Sequence, residues 1–312
     1  MSTPDNRQLG VAAIFVAAIL WGTTGTAATF APGVSAMAIG AAAMGIGGLL
    51  QALMAARSIA ARRSALVARM PLVLIGAVSV AIYPLVFYAS MRVAGVTIGT
   101  VISIGSAPLM AALIEHRLEG LKLSTRWLTG AAIGVTGMAL LAVAEGSGAH
   151  ALDVSAQNVP LGIALGLLAG FTYSLYSWSA RRLMQHGIPS TAAMGAMFGL
   201  GGVLLMPVLL VTGRPFLDSW TNASVGIYMA LVPMFCGYVC FGYGLARVQA
   251  SMATTITLLE PVVAAVLAVI IVGERLPPLG WTGVGLVILC LVWTTLPTRR
   301  FQAMPGRQAS RR

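Results

Sequence analysis

The stretch "ASMATTITLLEPVVAAVLAVIIV", Ala250 to Val272, decides the fold of this chain. An apolar run of this length can cross the hydrocarbon core of a membrane as one helix, which takes about 20 residues. Glu260 is its one ionisable residue, lies near its middle and is followed directly by Pro261. A carboxylate and a helix-breaking proline are both costly at mid-membrane. The stretch therefore predicts a membrane span and also marks a candidate site.

The composition predicts that the rest of the chain is embedded in lipid as well. Hydrophobic residues make up 58% of the 312 residues, charged residues make up 9%, and the mean hydropathy is +0.90. A soluble domain contains about 25% charged residues. This chain therefore cannot cover a water-facing surface of ordinary size, and we expect an all-α polytopic membrane protein.

Apolar runs recur along the whole chain and predict ten transmembrane helices. The connections between them are too short to hold a soluble domain. The first run is longer than the core of a signal peptide, so we interpret it as an uncleaved span. The predicted spans are 9–30, 33–55, 70–91, 95–115, 125–144, 159–180, 189–212, 223–245, 249–273 and 279–297.

The basic residues test this count independently. With ten spans, both termini lie on one side, and 16 of the 19 Lys and Arg residues fall on that side. The other side holds only Arg92, Arg214 and Arg275. This bias indicates cytoplasmic termini, with residues 299–312 as a basic cytoplasmic tail. The net charge of +11 is thereby explained by orientation and by attraction to anionic lipid, so we expect no nucleic acid partner.

The three cysteines do not predict a disulfide or a metal site. Cys236, Cys240 and Cys290 are odd in number and all lie in apolar runs, which argues against a disulfide framework. Cys236 and Cys240 share a helix face, but no histidine is near them in sequence. We expect neither a metal nor another cofactor.

The chain contains a weak internal repeat. "APLMAALIEHRLEGLKLSTRWLTGAAIGVTG" from Ala107 is similar to "EPVVAAVLAVIIVGERLPPLGWTGVGLVILC" from Glu260, so that Pro108 aligns with Pro261. Nearly the same offset places Trp21 beside Tyr173. Residues 1–148 and 149–298 would then be two repeats of five spans, and an odd number of spans inverts the second repeat. Inverted repeats are typical of secondary transporters, which bind substrate near the bilayer midplane between the repeats.

Several motifs resemble one known family. "LWGTTG" in span 1, "SAPLMAALI" in span 4 and "LLEPVVAAVLAVIIVGERL" in span 9 resemble the EamA-type branch of the drug/metabolite transporter superfamily. Within it the chain is similar to aromatic amino acid exporters. The first half departs from the pattern, since Ala107 stands where the second half has Glu260. The resemblance implies export of small metabolites, most simply amino acids, across the bacterial inner membrane by alternating access. The alternative is an exporter or facilitator of other small organic solutes or drugs.

The two aligned prolines are candidate hinges. A proline inside a helix removes one N–H, so Pro108 frees the carbonyl of Ile104 and Pro261 frees that of Thr257. In hydrocarbon these acceptors need a partner. Either a neighbouring hydroxyl satisfies them at a simple kink, or the prolines let half of each span tilt during transport.

Glu260 has three possible roles. The predicted span interiors hold no other acid and no Lys or Arg, so an ion pair within the membrane is excluded. Glu260 could bind and release a proton that is coupled to transport. It could instead bind the ammonium group of an amino acid, or be a protonated structural acid bonded to nearby backbone.

Aromatic residues supply the other candidate contacts to substrate. Trp127, Trp220, Trp281 and Trp293 fall near span ends, where an interfacial belt accounts for them. Those inside spans 1, 3, 6 and 8 could pack and hydrogen-bond between helices, or they could line a pocket; Phe171, Trp178, Phe235 and Tyr243 belong to this set. The candidate substrate-binding residues are Trp21, Tyr83, Tyr173, Glu260, Ser106, Tyr88, Tyr176 and Tyr238.

Other classes of protein fit the sequence less well. An enzyme needs a nucleophile with a base, paired carboxylates or a metal cluster, and the predicted span interiors offer none. A channel would need a selectivity filter or rings of charge, and a sensor would need an extramembrane domain. We therefore expect a transporter that acts as a monomer, with a small-molecule substrate and membrane lipids as its partners.

Overall fold

The computed structural model describes residues 4–146, 158–273 and 275–296. The predicted tail, 299–312, and most of the connection between spans 5 and 6 lie outside these residues. All regular structure in the described ranges is helical. Within these described residues, ten helices are long and apolar enough to cross a membrane, which confirms the predicted count: Asn6–Thr29, Ala36–Met54, Met70–Ala94, Ile98–Glu119, Thr125–Ala144, Val159–Gln185, Ser190–Thr212, Trp220–Leu245, Ala250–Val272 and Pro278–Thr295. We number them spans 1 to 10.

Short helices and local caps define the ends of the spans. Ala56–Ala61 and Arg63–Val67 connect spans 2 and 3, and a 3₁₀ turn at Arg214–Leu217 connects spans 7 and 8. The hydroxyl of Ser35 accepts the N–H of Ala38 at the start of span 2. Such a cap satisfies one of the N–H groups that a helix leaves without a partner at its first turn.

Spans 4 and 6 are longer than the sequence predicts. The helix of span 4 continues to Glu119 and that of span 6 to Gln185, so Glu115 and Arg181 belong to helices and not to connections. Glu115 is only 1% exposed. The expectation that Glu260 is the only acid inside the bundle is therefore wrong. The sequence misled because a charge after an apolar run usually marks the end of a span.

The spans pack in pairs that repeat along the chain. Span 3 packs on span 6 and span 1 on span 8, while span 4 packs on span 6 and span 1 on span 9. If five is added to each span number, and eleven is counted as span 1, the pair of spans 3 and 6 becomes the pair of spans 8 and 1. In the same way the pair of spans 4 and 6 becomes the pair of spans 9 and 1. At the contact of spans 2 and 7, a Cβ on Gly48 would meet the Cα of Gly202, and a Cβ on Gly202 would meet the N–H of Leu49. Reciprocal contacts of this kind are typical of a two-fold axis.

Spans 1 and 9 are broken helices that touch each other. Span 1 consists of Pro4–Gly22 and Thr24–Thr29, and span 9 is interrupted between Ile256 and Leu259. A Cβ on Gly22 would lie 2.8 Å from the carbonyl oxygen of Glu260. Only a glycine therefore permits the backbones to approach this closely. Discontinuous helices are the usual building blocks of transporter sites at the midplane.

The two aligned prolines differ in their surroundings. Pro261 follows the break in span 9, and the carbonyl that it frees, that of Thr257, accepts the N–H of Glu260 at 3.0 Å. The backbone thus satisfies this acceptor within the break itself. The helix of span 4 runs through Pro108 without interruption from Val96 to Glu119. That both positions act as hinges stays a prediction.

Candidate functional site

An aromatic cluster lies where spans 1, 3, 6, 7 and 8 converge. Neighbouring rings have centroids between 4.4 and 6.4 Å apart, mostly in tilted or edge-to-face arrangements. These are the geometries that aromatic pairs prefer. The members of the aromatic cluster are Trp21, Tyr83, Phe87, Tyr173, Tyr176, Phe198, Tyr238 and Phe241; Tyr88 adjoins it through Phe87, at 5.2 Å.

Trp21 is fixed in the middle of this cluster. Its indole N–H donates to the carbonyl of Pro233 at 2.9 Å, within a π-helical turn at Ala230–Cys236 of span 8. A Cβ on Gly237 would lie 2.6 Å from Nε1 of Trp21, so this glycine makes room for the ring. The ring centroid lies 6.4 Å from that of Tyr173, the residue with which the repeat offset aligns it. The polar atom of Trp21 is therefore already satisfied, and its remaining interactions are made by the ring.

Tyr173 connects the aromatic cluster to the break in span 9. Its hydroxyl lies 2.8 Å from Oγ1 of Thr257, and the Thr257 hydroxyl donates to the carbonyl of Thr254 at 2.9 Å. Because a threonine hydroxyl has one hydrogen, the Tyr173 hydroxyl is the donor in their bond. Thr257 is the residue whose carbonyl Pro261 frees. The hydroxyl and the carbonyl of Thr257 are thus both hydrogen-bonded, and the carbonyl is bonded by the N–H of Glu260 itself.

Tyr176 and Tyr238 form a second buried hydroxyl pair. Their oxygens lie 2.8 Å apart, and the side chains are 1% and 3% exposed. Two residues before Tyr176 in span 6, the hydroxyl of Ser174 donates to the carbonyl of Ala107 at 2.7 Å, which joins span 6 to span 4. These contacts satisfy buried polar groups, as hydrocarbon surroundings require.

Three polar side chains at one edge of the cluster make no such contact. Tyr83, Tyr88 and Glu260 are half-buried. Within the described ranges, no protein group hydrogen-bonds their hydroxyl or carboxylate oxygens. Glu260 follows Thr257, the partner of Tyr173, by three residues, and the ring of Tyr83 lies 5.5 Å from that of Tyr173. We call these three residues the open edge, since their polar atoms can bond a ligand.

Other predicted site residues lie apart from the cluster. Ser106 is half-buried between spans 4 and 6, where its hydroxyl lies 3.4 Å from the carbonyl of Ser103 and packs against Gly170. Phe171 and Tyr243 are 40% and 38% exposed and make no ring contact with the cluster. The idea that all aromatic residues of spans 1, 3, 6 and 8 line one pocket is therefore wrong for these two.

The structure adds residues that the sequence did not single out. Phe198 of span 7 packs on Tyr238 at 4.4 Å between centroids, and nothing in its local sequence distinguishes it from a lipid-facing residue. Phe87 of span 3 and Phe241 of span 8 also pack into the aromatic cluster. Thr257, whose carbonyl Pro261 frees, is also the hydrogen-bond partner of Tyr173.

A set of polar contacts ties the spans together at the end of the bundle near Arg7 and Leu296. The Glu115 carboxylate accepts the backbone N–H groups of Ala250 at 2.7 Å and Ser251 at 3.3 Å. It thereby caps the first helix of span 9 from span 4. Arg181 of span 6 donates to the carbonyls of Leu245 and Val248, where span 8 ends. These bonds hold spans 4, 6, 8 and 9 together between this end and the aromatic cluster.

Ten apolar helices around a polar, aromatic centre with two broken spans define the class of this protein as a membrane transporter. The sequence model of the EamA-like transporter family matches residues 8–143 and, a second time, residues 160–296. The chain belongs to the EamA-like transporter family. Its relatives in this family are transporters, and some of them are amino acid exporters.

Three relatives show how far the similarity extends. The chain is 30% identical to the uncharacterized transporter YwfM of Bacillus subtilis, over 92% of this chain and 94% of that one. It is 27% identical to a probable terminal-alkyne amino-acid exporter of Streptantibioticus cattleyicolor, over 93% and 98%. It is 27% identical to the threonine/homoserine exporter RhtA of Escherichia coli K12, over 74% and 73%.

The fold is also that of a known crystal structure. One solved chain superposes with a TM-score of 0.73 over 97% of this chain and 100% of its own length. At 19% identity this similarity concerns the fold alone.

Proposed function

We propose that this protein exports neutral amino acids across the bacterial inner membrane by alternating access. The observation on which this depends is the open edge, where Tyr83, Tyr88 and Glu260 present polar atoms that no described protein group satisfies. They adjoin a cluster of aromatic rings and the break in span 9. An amino acid has the matching parts, because it combines an ammonium group with a side chain that rings can cover.

The relatives support an amino acid as the substrate. RhtA is named for threonine and homoserine, and the Streptantibioticus cattleyicolor protein for a terminal-alkyne amino acid. All three have uncharged side chains. In this proposal the Glu260 carboxylate pairs with the ammonium group of the solute, and the hydroxyls of Tyr83 and Tyr88 hydrogen-bond the solute. The aromatic wall behind these three residues consists of Trp21, Tyr173, Tyr176 and Tyr238. Ser106 stays a candidate for the carboxylate.

The proposed mechanism depends on two inverted halves, residues 1–148 and 149–298. The repeated pairing of spans, together with the close approach of spans 2 and 7 at Gly48 and Gly202, supports this division. Rocking of one half against the other would expose the site to each side in turn, with Pro108 and Pro261 as the hinges. The excess of Lys and Arg on one side favours cytoplasmic termini, and one chain holds the whole site, which favours a monomer.

Glu260 would also be the coupling residue if export uses a proton gradient. A carboxylate that must lose its proton to bind an ammonium group links the two events. The remaining possibility is a structural acid, although its carboxylate bonds no described group. The distinction depends on whether flux responds to pH through Glu260.

Flux into liposomes tests the proposal. Purified protein in liposomes is given radiolabelled Trp, Phe, Thr and Met, with and without a pH gradient, and protein-free liposomes are the control. We expect protein-dependent flux of at least one of these amino acids. The absence of flux across the whole panel would overturn the amino-acid proposal, and flux of other small organic solutes alone would establish the alternative.

A further inference from the structure

A basic cavity lies at the end of the bundle near Arg7 and Leu296, apart from the aromatic cluster. Its volume is about 490 Å³, which is within the range of sites for small molecules. We call it the vestibule. Among the described residues, one acid, Glu115, lines it, against five cations: Arg7, Lys122, Arg126, Arg181 and Arg247.

The carboxylate of Glu115, the acid that lines the vestibule, already accepts hydrogen bonds from the protein. Both oxygens of Glu115 accept backbone N–H groups of span 9. Glu119, the other acid that acts on Arg181, accepts the indole N–H of Trp178 at 2.8 Å. The five cations that line the vestibule outnumber these two acids, so its net charge is positive.

Two of the arginines keep unsatisfied donors. Nε of Arg181 and Nε of Arg247 are buried and make no hydrogen bond within the part of the chain that the structure describes. Nη1 of Arg181 donates to backbone carbonyls of Leu245 and Val248, and Nη1 of Arg247 donates to the carbonyl of Tyr243. The guanidinium group of Arg247 also covers the ring of Tyr243 at 3.4 Å. A buried donor without a partner is costly, and a ligand that accepts hydrogen bonds would remove that cost.

Orientation in the membrane does not by itself explain this arrangement. Arg57, Arg62 and Arg63 on the connection of spans 2 and 3 are exposed, which suffices for the positive-inside rule and for contact with anionic lipid. The cations of the vestibule instead converge on a concave space and include buried guanidinium groups. Guanidinium groups bind carboxylates through paired, charge-assisted hydrogen bonds.

We propose that the vestibule is a loading site that binds the carboxylate of a zwitterionic solute before the solute reaches the aromatic cluster. This inference rests on the proposed amino-acid transport. Span 9 joins the two sites, because Ser251 lines the vestibule and Thr257 bonds Tyr173 in the cluster. Six helical residues separate them by about 9 Å. The bonds of Glu115 and Arg181 form the floor that must open between the sites.

Charge-selective labelling of a cysteine tests the vestibule directly. Ser124→Cys, which lines the vestibule, and Ser64→Cys, which is exposed next to Arg62 and Arg63, are made after Cys236, Cys240 and Cys290 are replaced by serine. Each variant is reacted in detergent with an anionic and a cationic methanethiosulfonate. We expect the ratio of anionic to cationic rates to be about tenfold higher at Ser124→Cys. Adding Arg7→Gln and Lys122→Gln should lower it towards the Ser64→Cys ratio. Equal ratios at the two positions would overturn the proposal.

Protection from labelling identifies the ligand. An amino acid that shows flux should slow the labelling of Ser124→Cys, and the corresponding amino alcohol, which lacks the carboxylate, should not. Equal protection by both, or protection by inorganic phosphate but by no amino acid, would overturn the assignment to a carboxylate. If an amino acid shows flux but does not protect Ser124→Cys from labelling, the proposal of a loading site is wrong, whereas the proposed transport stands. The rate ratio needs no transported solute, so a failed flux panel does not affect it.

Discussion

The hydroxyl of Tyr173 in span 6 donates to Oγ1 of Thr257, 2.8 Å away, at the break in span 9. This bond joins a residue of the aromatic cluster to the residue whose carbonyl Pro261 frees. Glu260 follows three residues later, in the first turn of the second helix of span 9. Movement of the broken span would therefore change the position of Glu260 and the contacts of the cluster together.

Tyr173→Phe should lower stability and slow transport. It removes one buried hydrogen bond but keeps the ring contacts, so the free energy of unfolding should fall by about 1 kcal/mol. Thermal unfolding in detergent and flux in liposomes measure the two effects. Tyr243→Phe is the control, because Tyr243 is 38% exposed and lies outside the cluster. Equal flux in wild type and Tyr173→Phe would show that the bond to Thr257 plays no part in transport.

Glu260→Gln should remove the response of flux to a pH gradient. The amide keeps the shape of the side chain but neither takes up a proton nor pairs with an ammonium group. Initial rates at several pH values, with and without a gradient, measure the effect. Asp218→Asn, an exposed acid between spans 7 and 8, is the control. An unchanged pH profile in Glu260→Gln would leave a structural role for this acid.

Substitution of Glu115 should destabilise the end of the bundle near Arg7. Glu115→Ala leaves the N–H groups of Ala250 and Ser251 without their acceptor, which should lower the free energy of unfolding by about 1–3 kcal/mol. Glu115→Gln keeps one carbonyl oxygen and should fall between this variant and wild type. Thermal unfolding ranks the three proteins. If Glu115→Ala were as stable as wild type, the cap would contribute nothing.

Gly22→Ala should disturb the contact of the two broken spans. The added Cβ would lie 2.5 Å from Cβ of Val263 and 2.8 Å from the carbonyl oxygen of Glu260. Such overpacking costs about 1–3 kcal/mol and should reduce flux. Gly25→Ala is the matched control, since nothing lies within 4 Å of its added Cβ. A similar flux in the two variants would contradict a role for this contact.

The sequence predicted the spans well because lipid imposes a length and a composition on each of them. It also named Trp21 and Tyr173 as an aligned pair of candidate site residues, and their rings lie close together in the aromatic cluster, a contact that the alignment alone did not predict. It missed the positions of Glu115 and Arg181, because their hydrogen-bond partners are backbone groups of distant spans, N–H groups for Glu115 and carbonyls for Arg181, that no sequence pattern reveals. Phe198 was missed for the same reason, as its ring partner Tyr238 belongs to another helix.

The central claim is that the solute binds at the open edge, and equilibrium binding of a transported amino acid tests it most directly. Tyr83→Ala removes a hydroxyl and a ring at this edge, whereas Phe171→Ala removes a ring of span 6 that is 40% exposed outside the cluster. Thermal unfolding verifies that both variants are folded. The account predicts a dissociation constant at least tenfold higher for Tyr83→Ala, or about 1.4 kcal/mol, and no change for Phe171→Ala. An unchanged dissociation constant in folded Tyr83→Ala would contradict it.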